Sequence, residues 1–144
     1  MAINSIDLSK YIINYALDNN SPISNLQLQK ILYFVNGEYY KNKGEFLLDE
    51  KFYAYPLGPV NKSVYNIYKS YGASKIYSRT NELIDFKGFD KNIINTAIKK
   101  YVEMSAFALV NLSHEVGKAW NKVISKDGMY SVISNDLIME EFKS

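Results

Sequence analysis

His114 is the only histidine of the chain, and Glu115 follows it in the stretch SHEVGKAW. A histidine beside a carboxylate is the raw material of a metalloprotease helix or of general-base catalysis. The metalloprotease motif needs a second histidine four positions on, where this chain has Lys118. No serine stands in a Gly-x-Ser-x-Gly elbow for a histidine to activate. His114 therefore reads either as a helix-closing residue bonded to backbone or a carboxylate, or as a residue facing a partner. Asp49-Glu50 and Glu140-Glu141 are adjacent carboxylates. Sequence neighbours point apart on a helix or strand, so neither pair makes an acid–base couple by itself. The seven glycines are dispersed, and none begins a Gly-x-x-x-x-Gly-Lys phosphate loop. Nothing in the sequence points to catalysis, and no cofactor is expected.

Other residues carry binding chemistry instead. Lys30 lies among apolar residues in LQLQKILYF. Its stem can run along an apolar surface while the ammonium reaches water, or it can present a fixed charge beside an aromatic corner. Trp120, the only tryptophan, is either a core anchor or a contact residue. Tyrosines run through YAYPLGPVNKSVY, residues 53–65, past two prolines and a glycine. Pro56, Gly58 and Pro59 are expected to fix a corner from which Tyr53, Tyr55 and Tyr65 project.

These side chains need positioning elements. Leu8, Ile12, Tyr15 and Ala16 recur at helical spacing over 7–19, with Asp7 or Ser5 as cap. Ser24 and Gln27 make a capping box. Leu28, Ile31, Leu32, Val35 and Tyr39 then form one apolar stripe, and Gly44 suits a left-handed helix end. Residues 46–57 read as a short extended or β insertion. Gly58-Pro59 reads as the turn after it, and Asn61 or Ser63 as cap of a helix whose apolar face is Val64, Ile67, Tyr68 and Tyr71. Residues 75–77 and 82–86 read as two short strands or ordered loop. Helices are expected again at 90–103, 105–114, 117–124 and 135–142. The fold class is thus mainly α, one compact domain over 1–144 with about six or seven helices.

A chain of 144 residues, 47% hydrophobic and 22% charged, can bury a core without staples. The absence of cysteine excludes disulfides, thiolate zinc sites and cysteine nucleophiles. The first ten residues lack a basic stretch followed by an apolar one, so no signal peptide is expected. No run approaches the length of a membrane span. A cytoplasmic protein without membrane partner is the expectation. Net charge is +2, and Arg79 is the only arginine. Mixed charges and scarce guanidinium do not favour a nucleic-acid partner.

The block from Ile23 to Gly72 resembles the Panacea domain, the SocA-like antitoxin family, which also includes phage-associated GepA-type proteins. The resemblance rests on Ile23, Ser24, Leu26, Leu28, Gln29, Lys30, Ile31, Leu32, Tyr33 and Phe34. It continues through Gly44, Leu47 and Asp49, then Tyr55, Gly58-Pro59-Val60 and Val64-Tyr65, and later Leu112-Ser113-His114 and Trp120. Tyr55 stands where the family usually has tryptophan, and Ala119 where it often has proline. The resemblance implies a non-catalytic module that neutralises a toxin by protein–protein contact, in at least one member as an adaptor to a protease. A phage or mobile-element effector that binds a host defence protein is the alternative. The expected partner-binding residues are Lys30, Tyr33, Tyr53, Tyr55, Tyr65, His114 and Trp120.

Overall fold

The computed structural model describes residues 2–81 and 84–143. Among them are seven α-helices and a three-stranded antiparallel sheet, so the mainly α expectation is borne out. The order is α1 (Ser5–Asp18), α2 (Asn25–Lys43), β1 (Phe52–Tyr55), β2 (Gly58–Val60), α3 (Lys62–Tyr68), α4 (Lys91–Val102), α5 (Ala106–Ser113), α6 (Ala119–Lys126), β3 (Val132–Ile133) and α7 (Asn135–Phe142).

Helix α2 is the centre. Helices α1, α3, α4, α5 and α7 and strand β2 all pack on it. Its ends follow from local chemistry. The Ser24–Gln27 capping box satisfies the first N–H groups, and Gly44 closes the helix at φ 75°. Its flanks differ from the expected single stripe, because Gln27, Gln29, Lys30 and Asn36 are buried along with the apolar residues. Each of these polar side chains binds backbone outside the helix. Asn36 Oδ1 accepts from Leu47 N and Leu48 N at 2.9 and 3.0 Å, and Gln29 Oε1 accepts from Asn61 N at 2.9 Å. An amide that bonds a loop's N–H groups can be buried at little cost. These bonds hold the stretch between α2 and α3 against the core.

Helix α1 starts earlier than expected. Asn4 is its cap, with Oδ1 accepting from Ile6 N and Asp7 N, while Ser5 and Asp7 are its first residues. Asn61 caps α3, as one of the two expected residues. That helix is short, ending in a 3-10 turn over Lys69–Tyr71 before Gly72. Val64 and Tyr68 are buried, but Ile67 is 43% exposed and faces outward. Residues 75–77 form loop, tied by one Ser24–Lys75 bridge and by Ile76 N donating to Ile23 O. Of the expected stretch 82–86, Glu82 and Leu83 lie outside the described residues, and 84–86 are not in a strand.

The turn was expected at Gly58-Pro59 and is found at Pro56-Leu57. Gly58, Pro59 and Val60 are strand β2, paired with Tyr55, Ala54 and Tyr53 of β1. Proline is tolerated in β2 because that strand is an edge of the sheet. The sheet order is β2-β1-β3, with Phe52 opposite Ile133 and Tyr53 opposite Val132. Phe52, Ala54 and Ile133 point to the core; Tyr53, Tyr55 and Val132 point away from it.

Candidate functional site

The outward face of the sheet is aromatic. Tyr55 meets Tyr65 of α3 edge-to-face at 5.5 Å between centroids, and Tyr130 likewise at 5.0 Å. The Lys62 ammonium lies 3.8 Å from the centroid of the Tyr53 ring. Tyr53, Tyr55 and Tyr65 are half-buried, and Tyr130, Leu57, Met129 and Val132 are exposed around them. Partial burial, then the neighbouring tyrosines, push the Tyr55 hydroxyl above its ordinary value. It therefore stays a neutral hydrogen-bonding group at physiological pH. Tyr130 has φ 68°, a left-handed conformation uncommon for an aromatic residue. Two backbone bonds hold it: Tyr130 N donates to Ala54 O at 2.7 Å, and Ala54 N donates to Ser131 O at 2.8 Å.

Beneath this face lies a polar corner. Trp120 Nε1 donates to Tyr55 O at 2.8 Å. The indole stacks on His114, 3.7 Å between ring centroids and 4° from parallel. Lys30, wholly buried, donates from Nζ to Pro59 O at 3.0 Å. Burial lowers its pKa to about 7. His114 is also shifted down, first by burial and then by Lys30, against a smaller upward pull from the Leu57 backbone. Its Nε2 is buried without a hydrogen-bond partner among the described residues. Gly58 makes this packing possible. Its φ is 118°, and a Cβ there would stand 2.6 Å from Ser113 Oγ and 2.7 Å from Lys30 Cε.

The seven expected contact residues therefore divide. Tyr53, Tyr55 and Tyr65 share the outer face. Lys30, His114 and Trp120 form the support behind it, with Lys30 at 0% and Trp120 at 8% exposure. Tyr33 belongs to neither group. It is in the core, edge-on to Phe34, Phe52 and Phe142, with its hydroxyl donating to Glu141 Oε1 at 2.7 Å. Pro56 begins the turn that joins the strands, while Gly58 and Pro59 sit over Lys30. Tyr130, Leu57 and Val132 complete the outer face and were missed in the sequence. The available signal was Gly128 before Met129-Tyr130, a turn residue ahead of alternating side chains. Among the described residues, no group of three or more His, Asp or Glu could hold a metal ion. Nor is any helix among them long and apolar enough to cross a membrane.

The family profile of the SocA-like antitoxin, Panacea domain, matches residues 28–121. The chain belongs to this family. Antitoxin SocA of Caulobacter vibrioides (strain NA1000 / CB15N) is 32% identical over 139 residues, which cover 86% of this chain and 73% of that one. No solved structure matches. The Panacea match takes in α2, β1, β2 and α3 through the start of α6, hence Lys30, Tyr53, Tyr55, Tyr65, His114 and Trp120. Tyr130 and β3 lie beyond it.

Proposed function

We propose that this Panacea-family protein is a non-catalytic antitoxin that neutralises a protein toxin by direct contact, and that the toxin sits on the tyrosine face of the sheet. The observation that carries this reading is the cluster of Tyr53, Tyr55, Tyr65 and Tyr130 on a backbone-bonded sheet, ringed by exposed Leu57, Met129 and Val132. Tyrosine offers a large apolar ring and one polar handle at small entropic cost, which is why it is enriched at binding hot spots. A standard interface covers about 800 Å² of each partner. A patch of this size can form its centre, with Lys51, Lys62 and Lys126 among the exposed residues of the neighbouring segments.

The test is co-expression with the product of the adjacent gene, scored by growth rescue and by co-purification. Tyr55→Ala and Tyr130→Ala are each expected to weaken toxin binding by about 30-fold, the equivalent of 2 kcal/mol at a hot spot. Circular dichroism checks that each variant remains folded. A neighbour that is neither toxic nor retained by this chain sinks the antitoxin reading. Full neutralisation by both folded variants moves the contact surface elsewhere. Toxin half-life in the same cells separates masking, which leaves it unchanged, from delivery to a protease, which shortens it.

A further inference from the structure

Among the described residues, the corner behind the tyrosine face holds two basic side chains and no acid. Lys30 Nζ has one hydrogen-bond partner among the described residues, the Pro59 carbonyl of β2. An ammonium has three N–H donors, and a wholly buried one with a single neutral acceptor is poorly satisfied. His114 Nε2, on the neighbouring ring, is buried with no hydrogen-bond partner among the described residues, although the Leu57 backbone acts on the ring. Around α2 most of the remaining charges among the described residues are exposed, while Lys10 of α1 and Lys118 before α6 are half-buried. Asp7 on α1, Lys62 on α3, the lysines of α4 and Asp136 on α7 are exposed. Glu38 binds Tyr101 and Lys100, and Glu141 binds Tyr33 and Ala119 N. His114 is the titratable group whose charge is coupled to Lys30.

The same two residues support the hairpin. Lys30 holds its β2 end through Pro59 O. His114 backs Trp120, which holds Tyr55 O at the β1 end. The packing is tight where the hairpin meets the lysine: a Cβ on Gly58 would stand 2.7 Å from Lys30 Cε and 2.6 Å from Ser113 Oγ.

We infer that the Lys30–His114 corner is a proton-sensitive latch on the β1–β2 hairpin, closed when Lys30 is a neutral amine and loosened when Lys30, and then His114, takes up a proton. A neutral amine donates to Pro59 O and needs no anion. A charged one must be hydrated or paired, and hydration requires the hairpin to lift. The proton goes to the lysine first: burial brings it down to about 7, whereas His114 is pushed below its ordinary 6.5 by burial and then by the lysine's charge. Loosening reaches the partner face through Tyr53 and Tyr55, which the same hairpin carries. The latch does not depend on what that face binds.

The isolated protein tests it. Lysine 13Cε chemical shifts, followed from pH 5.5 to 11, are expected to show one lysine, absent from Lys30→Met, titrating at about 7. Over the same range, hydrogen exchange at the Ala54 and Tyr130 amides, corrected for intrinsic pH dependence, is expected to accelerate at least tenfold below that midpoint in the wild type and not in Lys30→Met. Trp120 fluorescence is expected to fall at lower pH as the stacked imidazole becomes cationic, and this step disappears in His114→Gln. A Lys30 resonance that titrates near 10.5, like free lysine, overturns the proposal even if Lys30→Met fails to fold. So does equal protection of the Ala54 and Tyr130 amides in wild type and Lys30→Met at every pH.

Discussion

Two residues look alike in the sequence and are unlike in the fold. Tyr33 and Tyr55 both sit among apolar neighbours, but Tyr33 is 1% exposed and bonded to Glu141, whereas Tyr55 is half-buried on the outer face of the sheet. Periodicity identifies a side of a helix and not what covers it. Tyr33→Phe removes a hydrogen bond to a carboxylate and is expected to lower stability by about 1.5–3 kcal/mol. Chemical denaturation measures that loss, and toxin affinity per folded molecule is expected to stay at the wild-type value. Gly58 is the reverse case, a residue whose structural role was legible. Proline and glycine in YAYPLGPV pointed to a corner, though one placed two residues too late. Gly58→Ala combines a φ of 118° with a Cβ driven into Ser113 Oγ and Lys30 Cε. Strain and overpacking together are expected to cost about 3 kcal/mol, read as a lower urea midpoint. A change below about 0.5 kcal/mol would mean that the corner repacks freely.

At the scale of elements, the helices were legible where caps are local. Ser24, Gln27, Gly44 and Asn61 each act through bonds within a few residues, so the sequence order contains the whole mechanism. Elements defined by distant pairing were not legible. Strand β3 is two residues long and exists because Phe52 and Tyr53 pair with it across some eighty residues of chain. The N-terminus of α6 is similar: Lys118 provides no side-chain cap, and Glu141 of α7 accepts the Ala119 N–H at 3.1 Å instead. Polar residues of α2 were also opaque, since burying an amide makes sense only once its loop partner is known. Asn36 shows the weight of that arrangement. Asn36→Ala leaves the buried Leu47 and Leu48 N–H groups without their acceptor, and is expected to destabilise by about 2–4 kcal/mol. Exchange of those two amides is expected to rise well beyond the global change. Equal protection in variant and wild type would show that water or backbone replaces the side chain.

For the whole molecule, buried titratable groups set the pH range of stability. Folded Lys30 holds its proton only to about 7, whereas unfolded lysine holds it to 10.5. Between those values unfolding takes up a proton, so stability rises with pH by up to about 1.4 kcal/mol per unit. His114, lowered from 6.5, adds a loss on the acid side of that value. Tyr101 is raised well above its ordinary 10, chiefly by burial, so its contribution is complete below 10 and is lost as pH climbs beyond it. Thermal unfolding is expected to show Tm climbing from pH 7 to about 9.5 and falling beyond 10; Lys30→Met is expected to flatten the climb, and a wild-type Tm unchanged from 7 to 9.5 would contradict the assignment. The tyrosine face has a separate consequence. Its Met129–Val132 border is fastened to β1 through main-chain atoms, and such bonds are indifferent to the side chains that hang from them. Positions 129 and 132 can therefore be rewritten by single codon changes while the scaffold stays put. If the toxin sits on this face, as proposed, a lineage of such proteins has there a cheap way to change which opponent it recognises.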